Sequence, residues 1–171
     1  VTENLIVGEG VSRTFVENFD NSIAAAVLLG SDPGVEPDVI NRGEIHLDNT
    51  TGAPGILLYF TSNTFWDTGV VENFGLISAV DPRTATALFG PSWCPDIYNA
   101  GTIEARAPVR AEAINTSDLT TTITNTANGL ISATGGEAAT AVRMSNSHGF
   151  YIDNTVILRG GPINDGRIVA Q

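Results

Sequence analysis

Ile97-Tyr98-Asn99-Ala100-Gly101-Thr102-Ile103 has two close echoes upstream, Val39-Ile40-Asn41-Arg42-Gly43-Glu44-Ile45 and Val71-Glu72-Asn73-Phe74-Gly75-Leu76-Ile77. Looser copies run from Ile123-Thr124-Asn125 to Gly129-Leu130-Ile131 and from Ile152-Asp153-Asn154 to Val156-Ile157. Val16-Glu17-Asn18-Phe19 echoes the start of the phrase, and Ile163-Asn164-Asp165-Gly166-Arg167-Ile168 closes the chain. The asparagines at 18, 41, 73, 99, 125 and 154 recur at intervals between 23 and 32 residues. A period of that size marks a solenoid, in which each repeat is one coil and insertions fall in its loops.

The residues around each Asn fix the local structure. Two positions before it stand Val16, Val39, Val71, Ile97, Ile123 and Ile152, all aliphatic. Four positions after it stand Ile45, Ile77, Ile103 and Ile168, and six after it Leu47, Ala79, Ala105 and Ala170. Alternate residues therefore share a face, which is the period of a strand. Gly two positions after the Asn predicts a bend with positive φ between two strand segments. Stacked at the ~4.8 Å strand spacing, the asparagines Asn18, Asn41, Asn73, Asn99, Asn125 and Asn154 predict an amide ladder.

A second strand recurs about a dozen residues after each bend, at Ala24–Leu28, Ile56–Tyr59, Ala85–Phe89, Ala111–Ile114 and Ala139–Val142. A third leads into the Asn, most clearly at Thr120–Thr124. No segment has helical periodicity with capping residues. The expectation is an all-β, single-domain parallel β-helix of about six coils, with residues 1–15 as an N-terminal strand or extension and 16–171 as the solenoid. An antiparallel sandwich also has short strands, but it would not hold one phrase in register at this period.

Composition agrees with that reading. The chain has 171 residues, 19 Asp and Glu against 8 Arg and no Lys, a net charge of −11, and only 16% charged residues. Soluble proteins average ~25% charged residues, and here Asn, Thr and Ser supply the missing polarity. A chain so acidic repels phosphate backbones and anionic lipid, which argues against a nucleic-acid partner. Its longest apolar run, Ile23–Leu29, is far short of the ~20 residues of a membrane helix, so no membrane insertion is expected. The single Cys94 leaves no intramolecular disulfide framework and no basis for a zinc cluster. A first residue Val1 reads as a processed or trimmed polypeptide.

The phrase Ile-x-Asn-x-Gly-x-Ile, followed by a Gly- and Ala-rich segment and another strand, resembles the passenger repeats of bacterial autotransporters and related large surface adhesins. The closest stretch is Thr122-Ile123-Thr124-Asn125 through Gly129-Leu130-Ile131-Ser132, with Gly135-Gly136 and Ala139–Val142. The resemblance implies a right-handed β-helix, exported and displayed at the bacterial cell surface or released from it. It speaks to fold more than to activity, because the shared motifs are structural. The chain departs from the pattern in having no translocating barrel, uneven coil lengths and few coils.

His46, Ser78 and Glu104 fall in one outward column on three successive coils, and Glu44, His46 and Asp48 alternate on one strand. A serine, a histidine and a carboxylate so placed can be drawn as an acid–base set. No oxyanion loop or nucleophile elbow accompanies them, and polar residues fill the outer face of any solvated sheet. Polyuronate lyases of this fold pair calcium-binding acids with a basic residue, yet the arginines are scattered. No Asp-Asp pair of the hydrolase type occurs either. The expectation is no enzyme, no catalytic residues and no cofactor. Asp32-Pro33-Gly34-Val35-Glu36-Pro37-Asp38 lacks the ligand spacing of calcium loops, so no metal is expected. Thr120, Thr122 and Thr124 form one row of an ice-binding-like face with no second row. Asn49-Thr50-Thr51 and Asn115-Thr116-Ser117 match glycosylation sequons, which chance supplies often in such a chain.

Trp66 and Trp93 precede Asn73 and Asn99 by seven and six residues, which places them on adjacent coils. They are read as loop plugs, or else as a stacking platform for sugar or a subunit anchor. Solenoid ends carry unpaired strand edges. Here Leu5, Ile6 and Val7 at one end and Ile168 and Val169 at the other are expected to join copies head to tail. The resulting functional expectation is an extracellular or surface structural or adhesive protein that self-associates, with a polysaccharide or cell surface as a further partner. The alternative expectation is a carbohydrate-binding or polysaccharide-degrading β-helix.

Overall fold

A computed structural model describes residues 5–15, 25–30, 38–48, 55–61, 69–91, 95–116, 122–144 and 167–171. The described chain is all β. Its strands are β1 (Leu5–Val7), β2 (Ser12–Phe15), β3 (Ala25–Gly30), β4 (Val39–Asn41), β5 (Glu44–Asp48), β6 (Gly55–Thr61), β7 (Val70–Asn73) and β8 (Leu76–Val80). They continue as β9 (Thr84–Gly90), β10 (Asp96–Asn99), β11 (Thr102–Ala107), β12 (Arg110–Thr116), β13 (Ile123–Asn125), β14 (Leu130–Gly135), β15 (Ala138–Met144) and β16 (Arg167–Ala170).

Every third strand joins the same sheet. The first sheet runs β1-β4-β7-β10-β13, the second β2-β5-β8-β11-β14-β16, and the third β3-β6-β9-β12-β15. All the pairings are parallel. The result is a parallel β-solenoid, with three strands to a coil. Three coils are described without a break, at 69–91, 95–116 and 122–144.

The count of about six coils is thereby corrected to about three. It had assigned one coil to every Asn phrase, and the phrases at Asn18 and Asn154 fall outside the described residues. The two earlier coils are seen as their strands, and β16 adds one strand to the second sheet alone. Within 5–15, β1 pairs with β4 and β2 with β5, so this stretch contributes strands to two sheets of the solenoid. Val7 pairs with Asn41 and takes the first place in the Asn column, the place that the sequence reading gave to Asn18.

Packing follows the columns. Val39, Val71, Ile97 and Ile123 stack in the first sheet, and Ile45, Ile77, Ile103 and Ile131 in the second, each at most 1% exposed. Beside them Leu47, Ala79, Ala105 and Ala133 pass from large to small along the axis. In the third sheet, Leu57 with Leu58, Ala87 with Leu88 and Ala113 with Ile114 are consecutive and buried. Strict alternation would expose one of each pair, so these strands bend to keep both inside. In-register stacking of like aliphatics removes each row from water without voids.

The glycines of the bends serve another purpose than the one expected. Gly43, Gly75 and Gly101 have no positive φ, which among the described residues occurs only at Gly10, with φ 71°. A Cβ on Gly75 would overlap the carbonyl oxygen of Gly43, and one on Gly101 that of Gly75. These positions are glycine because successive coils approach closely there.

Candidate functional site

The bend between the first and second sheets carries a hydrogen-bonded column of asparagines. At its inner side lie Asn41, Asn73, Asn99 and Asn125, all at most 1% exposed. Nδ2 of each of the first three donates to Oδ1 of the next at 2.8 Å. The same nitrogens donate to the carbonyl oxygens of Leu76, Thr102 and Leu130 in the following coil, at 3.0, 3.0 and 3.2 Å. Oδ1 of Asn41 and of Asn73 also accept from the amides of Gly43 and Gly75. Asn41 and Asn73 thereby close their own bends and tie them to the next coil, which satisfies polar groups that burial would otherwise penalise. Asn125 Nδ2 donates to Gly129 O at 3.1 Å.

On the outer side of the same bend runs a row of planar groups. The Arg42 guanidinium carbon lies 5.5 Å from the Phe74 ring centroid, a cation–π distance. Phe74 in turn packs on Tyr98 with centroids 5.8 Å apart and planes tilted by 49°. These residues belong to three successive coils, and both rings are substantially exposed, at 44% and 40%. Glu72 lies beside Tyr98 in register.

Bend length varies along the axis. In the coils of Asn41, Asn73 and Asn99 two residues join the strands: 42–43, 74–75 and 100–101. In the coils on either side four residues do so, 8–11 and 126–129. Both longer turns are closed by a hydrogen bond, Val11 N to Gly8 O and Gly129 N to Thr126 O, and their tips at Glu9-Gly10 and Ala127-Asn128 are exposed. Between the first long turn and the row lies a groove of about 340 Å³, lined by Gly10, Val11, Ser12, Arg42, Glu44 and Leu76.

The column read as an acid–base set is in register, with His46, Ser78 and Glu104 as successive partners. Their side chains are engaged differently from a relay. His46 Nε2 pairs with Glu44 at 3.0 Å, and Ser78 donates to Glu104 at 2.8 Å while Arg106 bonds the other Glu104 oxygen at 2.8 Å. The hydrogen bond from His46 holds the Glu44 carboxyl below the usual 4.5. Burial pushes the Tyr59 phenol, which packs edge-on against Phe89, above 10.0.

Two arrangements were not read from the sequence. Glu112, in the third sheet, is 4% exposed. It accepts from Arg110 at 2.6 and 3.0 Å, from Arg143 at 2.9 Å and from Asn115 at 2.6 Å. Its alternation with Arg110 on one strand was a visible signal; Arg143, one coil on, was not. Second, Asp38 accepts from the amide of Val70 at 3.0 Å and Asp96 from that of Thr122 at 2.7 Å. An aspartate three residues before the Asn thus caps the strand of the next coil, and this spacing was present to be read.

Trp66, Trp93, Cys94, Asn18 and Asn154 lie outside the described residues. Ile6 is 61% exposed at the N-terminal row, Leu5 is half-buried and Val7 buried. Ile168 and Val169 pair with Ile131 and Ser132. Among the described residues no group of three His, Cys, Asp or Glu is arranged to hold a metal ion, and no helix is long and apolar enough to cross a membrane.

Fold and site together define a parallel β-solenoid with an internal asparagine ladder. Comparison with protein-family models, with curated proteins and with solved structures gave no match.

Proposed function

We propose that this protein is a secreted or cell-surface structural and adhesive β-solenoid of bacterial origin, without catalytic activity, whose copies join head to tail. On this reading the coil is right-handed, as in the autotransporter passengers that its repeats resemble. The observation that carries the proposal is β16. It adds to β14 as a parallel strand in the same columns, Ile168 beside Ile131 and Ala170 beside Ala133, and gives the second sheet one row more than the other two. A strand with this pattern is therefore accepted at the C-terminal end of the stack although 22 residues separate it from β15. β2 of a second copy offers the next parallel strand, and Leu5, Ile6 and Val7 the first row beyond it.

The test is light scattering and negative-stain microscopy of the purified protein over a range of concentrations. Growth into rods or fibres that Ala170→Pro suppresses is expected: Gln171 N bonds Ala133 O, so the alternate amide of Ala170 faces the free edge, and proline removes that donor. A wild-type protein that stays monomeric at high concentration overturns the proposal.

A further inference from the structure

The outer row at the bend has features that stacking alone does not require. Arg42, Phe74 and Tyr98 form one strip along the solenoid axis with both rings exposed. The strip is bounded by the two four-residue turns, whose exposed tips stand about four strand spacings apart, or ~19 Å. Gly43 and Gly75 line the 340 Å³ groove at the Arg42 end. Strip and groove together make up a shallow surface trough.

We propose that this trough binds a neutral glycan lying along the axis. Three observations select that occupant. The trough repeats every ~4.8 Å, close to the length that one pyranose adds to an extended β-linked chain. It combines aromatic rings with a guanidinium and the Glu44 and Glu72 carboxylates, so apolar sugar faces and hydroxyl groups both find partners. Its one arginine is outnumbered by carboxylates and the whole chain carries −11, which repels a polyanion. The proposal is independent of head-to-tail assembly, since a single copy holds the complete trough.

Affinity electrophoresis through gels containing hydroxyethyl cellulose, laminarin, glucomannan or amylose tests this, with polygalacturonate as the anionic comparison. Retardation by at least one neutral polymer is expected, and none by polygalacturonate. Phe74→Ala with Tyr98→Ala should weaken the retardation at least tenfold, Tyr98→Phe should retain most of it, and Ala100→Glu should abolish it by placing a longer side chain in the path of the glycan. Far-UV circular dichroism of each variant reports whether the solenoid has formed. Ala100→Glu adds bulk whereas the double variant removes it, so a folded form of either decides the matter. No retardation by any neutral polymer, retardation by polygalacturonate alone, or a folded variant of either kind that binds like wild type overturns the proposal.

Discussion

Asn73 Nδ2 and Asn99 Oδ1 are 2.8 Å apart across 26 residues of chain. Both amides are fully buried, and each joins a bend to the coil that follows. Replacing Asn99 by Ala removes an acceptor for Asn73 and leaves Asn125 Oδ1 without its donor. An unsatisfied buried polar group costs about 1–3 kcal/mol, and the small cavity adds to it. We expect Asn99→Ala to lose about 2–4 kcal/mol in chemical denaturation. A loss below about 0.5 kcal/mol would show that the ladder contributes little.

The bend glycines give a sterically distinct test. A methyl group on Gly75 meets the carbonyl oxygen of Gly43, part of the backbone of the preceding coil, which has no rotamer with which to yield. Overpacking in a rigid site typically costs about 1–3 kcal/mol or more. Gly75→Ala should therefore lower the denaturation midpoint clearly. Gly8→Ala, whose nearest neighbour is a side-chain methyl at 3.8 Å, should leave it almost unchanged. Equal effects at the two positions would remove close approach as the reason for glycine in the bends.

Glu112 holds two arginines whose side chains are 45% and 44% exposed, so solvent screens much of the attraction. Glu112→Gln keeps the shape and removes the charge. The expected destabilisation is about 1 kcal/mol at low ionic strength, shrinking as salt is added. A cost that grows with salt would contradict the electrostatic account.

Glu44 gives a pH signature. Its folded carboxyl titrates below 4.5, chiefly because His46 hydrogen-bonds the carboxylate. A lowered folded value favours the native state above pH 4.5, and that contribution disappears as pH falls through the lowered value. Carboxyl-carbon NMR should place the Glu44 midpoint below 4.5. Glu44→Gln should flatten the acid limb of the stability curve, and an unchanged limb would count against the pairing.

The Asn phrase made the sheets legible because a ladder needs one residue type at one phase. Asn41, Asn73, Asn99 and Asn125 declared themselves, as did the Ile and Ala columns beside them. The first row was misread because its slot holds Val7, which shares the inward direction and nothing else with an amide. The positive φ expected at Gly43, Gly75 and Gly101 failed for a similar reason: contact between coils has no trace in local sequence. The trough was illegible too, since Arg42 and Phe74 follow their asparagines by one residue whereas Tyr98 precedes its own. Only the register of the coils brings them into one strip.

The ladder also has a sense. From Asn41 to Asn99 every amide gives a hydrogen to the coil that follows, never to the one before. The two ways of shortening the stack are therefore chemically unequal. At Asn73, removing the coils that follow takes away two acceptors, Asn99 Oδ1 and the Thr102 carbonyl, whereas removing those before it takes away one donor and leaves the Gly75 amide. A chain emerging N-terminus first thus meets each partner in the order in which it is made.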